Sequence, residues 1–161
     1  MLTTQRLKIK KPHKDDANQL QKLANNFDIA KWTSRIPHPY DRQDAHRYID
    51  YLQADINEWL IYENDNVIGA IGIESELGYW IGEPYWDKGY ACEAIKCVIK
   101  YYFKINPTQP TMLARAKLDN AKSIHLLQKN GFEPANIEMH YALSLKRKVE
   151  IQNFELRSDL S

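Results

Sequence analysis

Along the chain, apolar positions switch several times between the period of a strand and that of a helix. In RLKIK near the start, Leu7 and Ile9 alternate with basic residues, the pattern of a half-buried strand, and Pro12 ends it. Ala17, Leu20, Leu23, Ala24 and Phe27 then recur at steps of three and four, which predicts a helix with one buried face. TSRIPHPYD reads as a turn-rich loop, and Asp41 as the N-cap of a second helix carrying Ala45, Tyr48, Ile49, Leu52 and Ile56. WLIYE, NDN and VIGAIGI form a hairpin pattern, and LGYWIG from Leu77 follows after a very short turn as a third antiparallel strand.

The helical period returns after Gly89 with Ala91, Ile95, Val98, Tyr102 and Ile105, and Asn106 with Pro107 stops it. TMLARAKL alternates again. Asp119 or Asn120 caps the helix NAKSIHLLQKN, Gly131 sits where a left-handed C-terminal cap is wanted, and the segments from Phe132 and in VEIQNFEL supply the last strands. Helices interleaved with a mostly antiparallel sheet predict an α+β or mixed α/β domain, and 161 residues suit one domain, 1–161, rather than two.

Composition narrows the function classes. The chain is 43% hydrophobic and 27% charged, as expected of a protein that folds in water. A formal net charge of +1 supplies no field that would gather nucleic acid. The N-terminus has no apolar targeting segment, and VIGAIGI is too short to span a bilayer, so the expectation is a cytoplasmic protein with no membrane partner. Cys92 and Cys97, on one predicted helix, point in different directions and imply no disulfide; the histidines have no mutual metal-ligand spacing, so no metal is expected.

The chemistry concentrates in YWIGEPYWDKGYACEAIKCVIKYY, a strand that enters a helix through a turn holding Lys88 and Gly89. The start of a helix exposes unpaired amides and the positive end of the dipole, so such a turn can seat a phosphate, though many helices begin after glycine and a plain turn is the commoner reading. Gly89 lets the backbone come close, Ala91 keeps the first helical turn uncluttered, and Lys88 adds a cation. Neither the dinucleotide fingerprint nor the P-loop pattern is present.

LTTQRLKIK, GYWIGEPYWDKGYACEAI and DNAKSIHLLQKNGFEP, in that order and spacing, resemble the GNAT superfamily of acetyl-CoA-dependent N-acetyltransferases, and within it the branch of the ribosomal-protein N-terminal acetyltransferases. The resemblance runs from about Leu2 to Phe154. It implies a mixed, mostly antiparallel sheet with a splayed strand pair at the coenzyme site. By the same resemblance, Trp86, Asp87, Lys88, Gly89, Tyr90 and Ala91 form the pyrophosphate loop, with Cys92 beside it, and the backbone of Tyr79, Trp80, Ile81 and Gly82 bonds the pantetheine arm. Asp87 stands where the branch often has Gly or Asn, which is unfavourable beside phosphate unless its side chain turns to solvent. Cys92 stands where the branch often has Thr.

The resemblance also gives Glu76 as the base that deprotonates the amine, often through water, with Glu74 as the fallback; a solvated hairpin charge is the alternative for either. It places Asn120 by the pantetheine and Ser123 near the sulfur as proton donor, while from the residues alone Asn120 is an N-cap and Ser123 a first-turn residue. The tyrosine that many relatives carry four residues further on is replaced here by Leu127, which cannot donate a proton. Cys92 as an acetylated nucleophile is a competing reading of its place at a helix N-terminus. Arg35 and His38 lie in the loop that closes over the acceptor in this family, and are either acceptor ligands or plain loop polars.

The function implied is direct acetyl transfer from acetyl-CoA to a primary amine within a ternary complex, with a protein N-terminal α-amine as acceptor. The alternatives are a polyamine, amino acid or antibiotic as acceptor, or an acyl-CoA-binding module without turnover. A homodimer is a further expectation from the resemblance.

Overall fold

The computed structural model describes residues 1–33 and 35–158. Strands β1 (Leu2–Thr3), β2 (Leu7–Lys10), β3 (Glu58–Glu63), β4 (Asn66–Gly72) and β5 (Gly78–Ile81) make a five-stranded antiparallel sheet in sequence order. Between β2 and β3 come the helices α1 (Ala17–Ala24), α2 (Phe27–Ala30) and α3 (Arg42–Leu52). Helix α4 (Tyr90–Ile105) follows β5, and β6 (Thr111–Lys117), α5 (Ala121–Lys129), β7 (Glu133–Ala142) and β8 (Arg147–Arg157) complete the chain. The last three strands form a second antiparallel sheet in the order β6-β8-β7.

The first sheet is buried on both faces, which explains why β3 and β4 read as near-continuous apolar runs. On one face, Ile61, Ile68 and Ile71 pack with Ile95 and Val98 of α4 and with Met112 and Phe154 of the second sheet. On the other, Leu60, Val67 and Ala70 pack with Leu20 of α1 and with Ile49 and Leu52 of α3. Truncating a fully buried residue such as Ile95 to Ala would cost about 2–5 kcal/mol. β4 and β5 approach so closely that a Cβ on Gly69 would lie 2.1 Å from the carbonyl oxygen of Trp80.

The sequence pattern overran in three places. Asn25 and Asn26 end α1, with Asn26 Oδ1 accepting from the Asp28 amide at 2.9 Å to start α2, so Phe27 leaves the buried face and is exposed. Ile56 lies beyond α3, whose start is closed by the reciprocal Asp41–Asp44 capping box. Leu118 continues the stripe of β6 in sequence but lies exposed just beyond it, whereas Ile105 closes α4 where the pattern ends it.

The two sheets meet at a single parallel bridge between Leu77 and Ala114, where the Leu77 amide donates to the Leu113 carbonyl at 2.7 Å. Beyond it no strand pairs with the outer edge of β5 among the described residues. β5 and β6 therefore diverge towards Ile81 and Lys117, and the opening is flanked by the starts of α4 and α5.

Candidate active site

The end of β5 is pinned before the turn begins: Trp86 Nε1 donates to the Ile81 carbonyl at 2.7 Å. The chain then passes through two left-handed residues, Asp87 at φ 59° and Gly89 at φ 79°, and enters α4 directly. A side chain at 89 would be strained by that conformation. No side chain caps the start of α4 among the described residues, and the first backbone bond back to the turn is from the Glu93 amide to the Gly89 carbonyl at 3.1 Å. The amides of the first helical turn are thus left for a ligand, with the positive end of a sixteen-residue helix behind them.

Cations surround this turn. Arg6, from the start of β2, donates to the Lys88 carbonyl at 2.9 Å and pairs with Glu93 at 2.7 Å, and its guanidinium lies 4.4 Å from the centre of the Tyr90 ring. The Asp87 side chain turns outward, 82% exposed, and lies 3.7 Å from Lys122. Its charge is thus paired with a lysine at the start of α5. Cys92 is half-buried, with its sulfur 3.7 Å from the Asn130 amide nitrogen.

Across the opening, Asn120 Oδ1 caps α5 by accepting from the Ser123 amide at 3.2 Å. The Ser123 hydroxyl is hydrogen-bonded to Tyr79 Oη at 2.6 Å, so a strand of one sheet and a helix beyond the other meet over the gap. Burial pushes the Tyr79 phenol above its ordinary pKa, with the Ser123 hydrogen bond opposing, so at neutral pH it keeps its proton. Leu127 is fully buried in the core and supplies no proton.

Glu76 sits just before the bridge at Leu77, half-buried. Arg115 reaches it from β6 by two contacts, Nε at 2.7 Å and Nη2 at 2.6 Å, both to Oε1, and Arg115 Nη1 also lies 3.2 Å from the His140 ring. The second carboxylate oxygen, Oε2, is left outside this pair. Glu74 is exposed and accepts from the Asn57 amide. Arg35 is exposed, 3.7 Å from Glu58, and His38 is exposed with its ring edge-on to Phe27 at 5.4 Å. Burial raises the Glu58 carboxyl above its ordinary pKa, Arg35 opposes this and Glu74 adds to it.

The structure therefore gathers two groups. Tyr79, Trp80, Ile81 and Gly82 line the open strand edge, Asp87 to Cys92 form the turn beside it, and Asn120 and Ser123 face it from α5. Glu76 stands at the closed end of the strand pair, and Arg35 stands apart from it beside Glu58. Arg6, Lys122, Arg115 and the Tyr79 hydroxyl went unread in the sequence. Each meets its partner across a long chain separation, and only the spacing of Asn120 and Ser123 hinted that α5 would face the gap.

A family model described as the acetyltransferase (GNAT) domain matches residues 6–133. The chain belongs to the GNAT acetyltransferase family. It is an acetyl-CoA-dependent N-acetyltransferase of that family, with the mixed sheet that the sequence resemblance implied. It is 27% identical over 171 aligned residues to an uncharacterised N-acetyltransferase of Bacillus licheniformis, covering 96% of this chain and 94% of that one. A ribosomal-protein-serine acetyltransferase of Escherichia coli is 24% identical over 82 residues, 46% of this chain and 45% of that one. In fold it is similar to RimL, a ribosomal-protein α-N-acetyltransferase solved with coenzyme A, at a TM-score of 0.82 and 11% identity over 98% of this chain and 97% of the other.

Proposed function

We propose that this GNAT enzyme transfers an acetyl group from acetyl-CoA to the α-amine of a protein N-terminus by direct attack within a ternary complex. The observation that carries the transfer is the strand pair β5 and β6, joined among the described residues at Leu77 and Ala114 alone and opening onto a start of α4 that no described side chain caps. Such an opening offers backbone donors and acceptors to a pantetheine arm and unpaired amides to a pyrophosphate. Arg6, through the Lys88 carbonyl, and Trp86, through the Ile81 carbonyl, keep the turn in shape.

The chemistry assigned to the side chains is simple to balance. Glu76 takes a proton from the acceptor ammonium on Oε2, directly or through water, while Arg115 holds Oε1. The amine nitrogen bonds to the thioester carbonyl carbon and gives up its second proton to water, the carbon–sulfur bond breaks, and the Tyr79–Ser123 pair delivers a proton to the departing thiolate and is reprotonated from water. Cys92 takes no covalent part, because its sulfur is turned to Asn130 and has no base beside it.

Two observations support an α-amine. An α-amino group is neutral in roughly a tenth of molecules at neutral pH, against about one in a few thousand for a lysine side chain, so it asks less of a carboxylate base. The Glu76 carboxylate is also paired with Arg115, so its charge is neutralised rather than added to the acidic lining that a polyamine would need. The ribosomal-protein-serine acetyltransferase among the relatives supports the same class.

The test is mass spectrometry of products after incubation with acetyl-CoA and an equimolar mixture of a serine-leading peptide and spermidine. The expected result is one acetyl group on the peptide α-amine. Preferential acetylation of spermidine would overturn the acceptor class, and coenzyme binding without turnover on any amine would favour a silent acyl-CoA-binding module.

A further inference from the structure

Lys117, the last residue of β6, is 3% exposed, and its Nζ has no hydrogen-bond partner among the described residues. An ammonium removed from water without a partner is costly, and a chain this size rarely keeps one without use. The side chain contributes to a cleft of about 450 Å³, within the range of small-ligand sites. Lys31, Trp32, Leu145, Arg147 and Val149 line the same cleft.

Position ties the cleft to the acceptor side. Arg115 and Lys117 stand two residues apart on one strand, so their side chains share a face, roughly 7 Å apart along it. Arg115 is the residue that holds Glu76. Lys117 therefore stands one strand step from the residue that holds the carboxylate assigned to the amine.

Charge decides what enters. Asp119 and Glu150 also border the cleft, but both are exposed and solvated at its rim. Lys31 is held by Asp28 at 2.9 Å and lies over the Trp32 ring. Arg147 is exposed. The desolvated charge beneath the cleft is thus the Lys117 ammonium, with the exposed Arg147 and Trp32 in the lining beside it. Burial lowers the Lys117 pKa, Asp119 opposes that and Arg147 reinforces it, in keeping with a cation that lacks its counter-ion.

We propose that this cleft binds an anionic group of the acceptor, a carboxylate or a phosphate, and so selects amines that carry an acid near the reacting nitrogen. The proposal rests on the acetyl-transfer reading for its link to turnover, but not for binding. Three acceptors separate the sources: a serine–aspartate dipeptide amide, phosphoethanolamine, and a serine–asparagine dipeptide amide as the neutral control. One of the two acids is expected to show a KM about tenfold below that of the neutral amide. Lys117→Met should erase the difference and Lys117→Arg keep it.

The Met variant should also melt no lower than the parent, because it removes an unpaired buried charge. The second measurement does not depend on turnover: the Lys117 Nζ resonance, followed by NMR as each amine is added with coenzyme A present, should shift with an acid and stay still with the neutral amide. No shift with either acid would overturn the proposal even in an active enzyme. Absence of turnover alongside a shift would instead overturn the acetyl-transfer reading and leave the anion site standing.

Discussion

The two sides of the β5–β6 opening are built from different materials. On the coenzyme side, the groups that would hold the ligand are main-chain ones: the free edge of β5, the left-handed turn at Asp87 and Gly89, and the uncapped start of α4. On the side proposed for the acceptor they are side chains, Glu76 gripped by Arg115, Lys117 without a hydrogen-bond partner among the described residues, and Glu58 facing Arg35. A main-chain site survives wide changes of sequence provided the turn and the helix start are kept. A side-chain site can be retuned one residue at a time, which suits a family whose members share a donor and differ in acceptor.

The comparison can be broken first where a single side chain is asked to do chemistry. Glu76→Gln should lower kcat/KM by about 10²-fold or more, the range for a lost general base, while acetyl-CoA affinity measured by calorimetry stays put. A loss confined to coenzyme affinity would move Glu76 to the other side of the divide. Next come Ser123→Ala and Tyr79→Phe, each expected to lower kcat about tenfold. Because they share one hydrogen bond, the double variant should lose little more than either single one in a steady-state cycle. Full additivity would separate their roles.

A smaller effect sharpens the main-chain side. Arg6→Ala removes the contact to the Lys88 carbonyl and the pair with Glu93, so acetyl-CoA should bind several-fold more weakly with kcat little changed; titration of the variant decides it. The smallest effect is on stability. The folded Glu58 carboxyl titrates above its ordinary value of 4.5, so from 4.5 upward the native state holds more proton than the unfolded chain. Stability should therefore fall as pH rises through the folded pKa, and urea midpoints of Glu58→Gln should lack that slope.

Much of the main-chain side could be read from residue order. A strand pattern running through glycine into a helix period announces the turn at Lys88 and Gly89, and the Asn120 cap places the start of α5. The side-chain groupings were not legible, because Glu76 meets Arg115 and Tyr79 meets Ser123 only once two sheets have been set edge to edge. Nothing local distinguishes Lys117 from the exposed lysines that alternation would also permit on β6. The errors of element length have a similar source: Phe27 and Leu118 keep the period of their stripes, but where an element ends depends on what packs beyond it. Asp87 illustrates the reverse case, since its charge looks unfavourable in sequence and the left-handed backbone at that residue carries it out to Lys122.

In the proposed function the turn at Gly89 and the start of α4 seat the coenzyme. Calorimetric titration with acetyl-CoA of the parent chain and of Gly89→Trp, with a thermal melt of each to show that both are folded, tests it most directly. A bulky side chain at a left-handed residue, set where a Cβ already lies 3.4 Å from Arg6 Nη2, should abolish measurable binding that the parent displays. Undiminished affinity in the folded variant, or no binding by the parent, would contradict it.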